Sequence, residues 1–239
     1  MIGLGTIINT LGIVIGGLFG HLFGKILKER HRTSLITACG ISVIFIGIAG
    51  AMPGMLTVNG GIITSGQAML VSVCLVLGTL IGELIDIEGL FEQFGEWLKS
   101  KTGNEKDNNF VNAFVTATLT VCIGAMAIVG AIQDGIFGDY SILATKSLLD
   151  FVVIMIMTSS LGKGTAFSAI PVLILEGGIT LFARFLSPII TDLAMDYLSL
   201  IGSILIFCVG LNLIRDKKIR VANMLPALVL AAIAAFIKF

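Results

Sequence analysis

The sequence predicts an all-α fold: a polytopic transmembrane helical bundle of about eight spans, with a candidate internal repeat. Three observations predict it. Of 239 residues, 56% are hydrophobic and 13% charged, about half the charged share of a soluble domain, and the mean hydropathy is +1.04. A chain of this length cannot hide so much apolar surface in one water-soluble core. Apolar runs near 20 residues, the length a helix needs to cross a bilayer, recur at 2–24, 34–52, 68–87, 110–132, 142–161, 165–186, 198–214 and 221–237. Finally, the basic residues between these runs fall in alternate loops. One set holds Lys25, Lys28, Arg30 and Arg32; then Lys99, Lys101 and Lys106; then Lys163; then Arg215, Lys217, Lys218 and Arg220. The other set, 53–67, 133–141 and 187–197, holds none. By the positive-inside rule this gives eight spans with both termini outside a prokaryotic cytoplasmic (inner) membrane. The whole chain, 1–239, reads as a single integral membrane domain.

In the first run no charge precedes residue 25 and four basic residues follow it, the reverse of a cleaved signal peptide. It is expected to stay as a span. Gly12, Gly16, Gly20 and Gly24 line one of its faces, a smooth stripe suited to close helix packing within the chain or to a homo-oligomer. Leu11-Gly12-x-x-Ile15-Gly16-x-Leu18 recurs as Leu77-Gly78-x-x-Ile81-Gly82-x-Leu84, and Ile46-Gly47 is echoed by Ile123-Gly124. Spans 1–2 and 3–4 therefore read as a parallel repeat, a common device in transporters. Between spans 3 and 4, Glu88, Glu92 and Glu96 recur every four residues, with Phe91, Phe94 and Leu98 on the opposite face. The segment 88–98 reads as an amphipathic helix at the cytoplasmic interface, its acidic face turned to water or to a basic loop such as 25–32 or 215–220.

Spans 5 and 6 carry the chemistry. They are joined by Gly162-Lys163-Gly164 and contain Lys146, Asp150, Glu176 and Arg184. A charge at a bilayer centre costs roughly 2.5–3.5 kcal/mol on insertion scales, so such residues pair, face water or do work. Lys146 and Asp150 lie one helical turn apart and can pair, roughly 6 and 12 Å below the outer end of their span. Pro171 predicts a kink, and Glu176-Gly177-Gly178 follows near mid-membrane. Proline, glycine pair and buried acid together read as a broken helix lining a cavity. An acid left without a partner in low dielectric can load and release a proton or a cation. Asn9, and Gln133 and Asp134 at the outer end of span 4, are further binding candidates, with Asp139 beside them; the alternative for the last three is an ordinary turn built on Gly135 and Gly138.

Other chemistries are not indicated. Net charge is zero, with 15 basic and 15 acidic residues, so no nucleic-acid partner is expected; the bilayer is. Cys39, Cys74, Cys122 and Cys208 form no CxxC pair and read as small buried hydrophobes. His21 and His31 lack metal-ligand companions at helical spacing, and the sequence names no metal. Gly162-Lys163-Gly164-Thr165 lacks the GxxxxGK[ST] spacing of a phosphate loop. No cofactor and no enzymatic activity are expected.

The runs Gly130-Ala131-Ile132-Gln133-Asp134-Gly135, Lys146-Ser147-Leu148-Leu149-Asp150, Phe167-Ser168-Ala169-Ile170-Pro171-Val172-Leu173, Gly210-Leu211-Asn212-Leu213 and Ile219-Arg220-Val221-Ala222-Asn223-Met224-Leu225-Pro226-Ala227 resemble the YdfK/YqgA-type family of bacterial integral membrane proteins, a domain of unknown function. The resemblance covers essentially the whole chain. It implies a prokaryotic cytoplasmic membrane and a polytopic helical fold, and it supplies no substrate and no site residues. The residues themselves point to a secondary transporter of an ion or small polar solute, proton- or cation-coupled. Asp150 and Glu176 would be its ion-binding acids, Lys146 and Arg184 their counter-charges, and Pro171, Gly177 and Gly178 the helix break. The alternatives are an oligomeric ion channel and a non-transporting scaffold or sensor docking through 88–98.

Overall fold

The computed structural model describes residues 2–24, 28–59, 62–122, 125–186, 191–215 and 219–236. Among the described residues, six helices are long and apolar enough to cross a membrane: α1 (Leu4–Gly24), α2 (Glu29–Met55), α3 (Ala68–Ile85), α7 (Ser141–Leu161), α8 (Ala169–Leu186, continued backwards by a 3-10 turn, Lys163–Ser168) and α9 (Asp192–Ile214). A further crossing is broken into α5 (Phe110–Cys122) and α6 (Ala125–Phe137), bent by 61°. An amphipathic helix, α4 (Ile87–Lys101), lies between α3 and α5 in sequence, and a 3-10 turn (Val221–Met224) leads into the short apolar α10 (Pro226–Ala234). The polytopic all-α bundle is therefore the observed fold, with six or seven candidate spans among the described residues against the expected eight. The run 221–237 is a 3-10 turn and the nine-residue α10, too short to count as a span, and two other expected spans differ in their bounds.

The expected single helix over 110–132 is two half-helices that continue to Phe137. The expected run 198–214 begins earlier, at Asp192. There Thr191 accepts a hydrogen bond from the Ala194 amide at 3.2 Å and Asp192 sits in the first turn, a polar N-cap that hydropathy alone does not reveal. The 53–67 loop also holds a small hairpin, β1 (Leu56–Asn59) antiparallel to β2 (Ile62–Ser65) in the register Leu56↔Ser65, with Thr57 and Thr64 hydroxyls 2.8 Å apart.

The chain divides into two compact units interleaved in sequence. One comprises residues 1–39, 89–122 and 126–188; the other comprises 40–88, 123–125 and 189–239. In the first unit α1 and α7 run parallel. Gly5 lies against Leu143, Gly12 against Ser147, Gly16 against Phe151 and Gly20 against Met155 and Thr158. A Cβ on Gly16 would meet the Phe151 carbonyl oxygen at 2.5 Å, so only glycine permits this approach. The glycine stripe is thus spent inside the chain. Gly12, Gly16 and Gly20 are not a free face for a second copy, and the side of Gly24 lies outside the described residues. α8 runs back along α1, with Thr6 beside Thr180. The α5–α6 crossing runs the full length of α7 in the opposite direction. Gly164 abuts Phe110, the Val121 carbonyl receives Lys146, and Asp134 and Gly130 lie at the level of Gly5 and Leu143.

In the second unit α10 runs antiparallel to α3, with Ala227 against Gly78 and Asn223 against Gly82. Its core is Cys74, Ile201, Ala227 and Ala231. α2 runs antiparallel to α9, through Gly40 against Ile214, Gly47 against Phe207 and Gly54 against Leu200. The relative helix directions within each unit are those that an alternating eight-span topology requires. The units also share a motif: a glycine-faced helix (α1 or α3) packed on a 3-10 turn that starts a helix carrying proline in its first turn (Pro171 or Pro226). Cys39 and Cys74 are buried, Cys122 and Cys208 half-buried, and all four are free thiols.

Candidate functional site

Four polar side chains from three helices of the first unit meet near mid-helix. Asp150 is the tenth residue of α7, Glu176 the eighth of α8 and Asn9 the sixth of α1. Lys146, one turn before Asp150, forms an ion pair with it. The same Nζ lies 3.6 Å from Glu176 Oε1 and donates to the Val121 carbonyl at 2.8 Å. Asn9 Nδ2 donates to Glu176 Oε1 at 2.8 Å. Exposure is 6% for Lys146, 7% for Asp150, 1% for Glu176 and zero for Asn9. Two carboxylates therefore share one ammonium away from solvent. Glu176 Oε2 and Asn9 Oδ1 are buried without a hydrogen-bond partner among the described residues.

The backbone oxygen in this cluster is the Val121 carbonyl of α5, which accepts from Lys146. The expected helix break lay elsewhere. α8 is continuous from Ala169 to Leu186 through Gly177 and Gly178, and Pro171 sits in its first turn, where a missing N–H breaks no intrahelical bond. Nothing lies within 4 Å of a Cβ built on Gly178, and only the Thr6 methyl approaches one on Gly177. The bend lies instead between α5 and α6, whose axes differ by 61°; Ile123 and Gly124 between them lie outside the described residues.

A line of hydrogen-bonding groups extends from the cluster toward the N-terminal end of α1. Thr6 and Thr180 hydroxyls lie 3.2 Å apart, and Thr180 donates to the Ala131 carbonyl at 3.2 Å. One turn further on, buried Asp134 accepts from the amides of Gly3 (3.2 Å) and Gly5 (2.9 Å). Asp134 is thus an N-cap supplied to α1 from another helix and stands apart from the ion cluster. Gln133 is half-buried and outside the cluster. Asp139 accepts from the Ser141 amide and hydroxyl at the start of α7, bonds that hold its carboxyl below the usual range. The turn reading thus describes Asp139, and neither reading describes the buried cap Asp134. Arg184 lies eight residues beyond Glu176, about 12 Å along α8, and its side chain lies outside the described residues. Thr6, Thr180 and the Val121 carbonyl were missed in the sequence. Thr6 is three residues from Asn9 and Thr180 four from Glu176, so shared helix faces were the available signal.

The segment expected as an amphipathic helix over 88–98 is helical from Ile87 to Lys101. Within the first unit its apolar side packs Gly95 and Phe94 on Phe114, while Glu96 approaches Lys99 at 3.9 Å. In the second unit Arg220 pairs with Glu83 at 2.6 Å and with Asp86, the left-handed cap of α3. Asn223 accepts from the Glu88 amide at 2.7 Å. Of the basic 215–220 segment, Arg220 therefore engages the acids at the end of α3. No group of three or more His, Cys, Asp or Glu side chains able to hold a metal occurs among the described residues.

The fold and the buried charge define a polytopic integral membrane protein with a polar centre inside one of its two units. Comparison with known proteins places it more narrowly. The chain belongs to the family described as "Protein of unknown function (DUF554)", which matches residues 4–236. It is 28% identical over 233 residues to the "Uncharacterized membrane protein YdfK" of Bacillus subtilis (strain 168), covering 98% of this chain and 96% of that one. It is 31% identical over 236 residues to the "Uncharacterized protein YqgA" of Escherichia coli (strain K12), covering 95% and 94%. No solved structure matches.

Proposed function

We propose that the chain is a secondary transporter of an ion or small polar solute, coupled to a proton or cation, in a prokaryotic cytoplasmic membrane with both termini outside. The observation that carries this reading is the buried cluster: Asp150 and Glu176 facing one ammonium beside a broken span. Two ionised carboxylates and one lysine leave an excess negative charge in a region of low dielectric, where uncompensated charge is costly. A proton or cation offsets it. In this reading Asp150 and Glu176 exchange that ion, Lys146 is the counter-charge and Asn9 orients Glu176. Thr6 and Thr180 extend the polar line toward the N-terminal end of α1. A break in a span is the usual means by which transporters present backbone oxygens to ions. The membrane setting draws support from the loop charges and from the printed description of the Bacillus subtilis relative.

The test is flux into proteoliposomes carrying a pH-sensitive dye, with panels of cations, anions and amino acids outside. Wild type is expected to move protons together with one solute class, and Asp150→Asn or Glu176→Gln to stop it while the protein remains folded. Wild-type vesicles no more permeable than empty ones, across all panels, would refute the reading.

A further inference from the structure

The contacts of Lys146 are those of a bound cation. Its Nζ is held by one backbone carbonyl, Val121, by the Asp150 carboxylate and, at 3.6 Å, by Glu176 Oε1. That carbonyl belongs to α5 (Phe110–Cys122), whereas the two carboxylates belong to α7 and α8. Beside it Glu176 Oε2 and Asn9 Oδ1 are buried and unpartnered, on side chains with 1% and zero exposure. An ammonium can donate three hydrogen bonds, and these two further oxygens accept none. Carbonyl, carboxylate and amide oxygens are the hard ligands that alkali and alkaline-earth ions prefer. Charge narrows the choice. With Lys146 still attached, two carboxylates leave a deficit of one positive charge, which a monovalent ion meets. The ammonium rides on a flexible four-carbon stem and can leave without unfolding α7.

We propose that the Lys146 ammonium is a tethered occupant of a monovalent-cation site formed by the Val121 carbonyl, Asp150, Glu176 and Asn9, and that a small alkali cation takes its place when the side chain is displaced. This rests on the reading of the cluster as an ion site, and it adds an internal competitor. Cation affinity in the native chain is set by how readily the lysine yields, so deleting its charge strengthens cation binding even where transport is lost.

The experiment is thermal unfolding of the purified full chain in detergent, which reads the site independently of flux. Wild type, Lys146→Ala and Lys146→Ala/Glu176→Gln are titrated with sodium, potassium or methylammonium chloride, N-methylglucamine chloride holding ionic strength constant. Magnesium and calcium chloride serve as divalent arms. Lys146→Ala is expected to gain several degrees in Tm, saturably, with one alkali ion at a midpoint at least tenfold below any wild-type response. Methylammonium, which restores the missing headgroup, stabilises it too, and the double variant loses the response. An equal response in wild type and Lys146→Ala, indifference to cation identity, or a wild-type preference for a divalent ion overturns the proposal. If Lys146→Ala is recovered only with an alkali salt, that supports it. If Lys146→Ala is recovered in no salt, Lys146→Met is used. A folded, cation-indifferent Met variant overturns the proposal, and so does failure of both in every salt, because a fitting cation should restore the charge. Flux in wild type with no cation response in Lys146→Ala would leave the transporter reading standing and remove this one alone.

Discussion

The two units use one motif to opposite ends. In each, a glycine-faced helix packs on a 3-10 turn and on the helix that the turn begins. In the second unit the middle of that assembly is Cys74, Ile201, Ala227 and Ala231. It carries ion pairs at the end of α3, where Arg220, Glu83 and Asp86 have side chains 46%, 41% and 55% exposed. In the first unit the middle holds Asn9, Lys146, Asp150 and Glu176, all buried. The motif is stable without buried charge, as the second unit demonstrates, so packing does not require the cluster. Three ionisable groups in the costly position, in one unit and not in the other, are what the transporter proposal would account for.

The comparison can be broken most severely by giving the second unit a charge of its own. Ile201→Asp sets an unpaired carboxylate against Cys74 and Ala227, costing roughly 2.5–3.5 kcal/mol in insertion alone. The expected outcome is loss of monodisperse protein in size-exclusion chromatography. Asp150→Ala in the first unit leaves Lys146 with a single carboxylate partner and is expected to destabilise by about 3–5 kcal/mol, the cost of breaking a buried pair, read as a lowered Tm. Gly16→Ala and Gly82→Ala test the shared packing. Each forces a Cβ into a backbone carbonyl, of Phe151 and of Asn223 respectively, and each should cost about 1–3 kcal/mol. Matching losses would show the motif equally tight in both units. Arg220→Ala should shift Tm least of these, with a difference that shrinks as salt is raised, because exposed pairs are screened. Smallest of all is the acid response of the Asp139 cap. Its carboxyl is held low by Ser141, so the stabilisation is complete above the unfolded value and fades as pH falls through the folded one. Asp139→Asn should remove that dependence from a pH series of melting curves.

Much of this was legible in the sequence. Spans, helix α4 and the small-residue packing of α1 follow from hydropathy, a four-residue charge period and glycine spacing, each a local pattern. Asp150 and Glu176 were visible because a charge inside an apolar run needs no partner to be noticed. The break was misplaced because Pro171 and Gly177-Gly178 are strong local signals, whereas a proline in the first turn does no damage and a glycine pair with open space around it need not bend. The α5–α6 crossing carries only Gly124 as a hint, and its break acquires meaning when Lys146 from another helix reaches Val121. The hairpin was missed although Thr57, Val58, Ile62, Ile63 and Thr64 flank the sequence Asn59-Gly60-Gly61, a hairpin signal hidden by the expectation of a loop. Asp134 as a cap for α1 depends on contacts across about 130 residues, which no local pattern contains.

The most direct test of the central claim is a side-by-side flux measurement in proteoliposomes of wild type, Glu176→Gln and Asn223→Ala. Glu176 is the buried acid in the first unit; Asn223 is a buried polar residue in the 3-10 turn of the second. Ion-coupled flux in wild type that is abolished by Glu176→Gln and retained by Asn223→Ala is the predicted result. Equal flux in wild type and Glu176→Gln would contradict it and make the cluster a structural network.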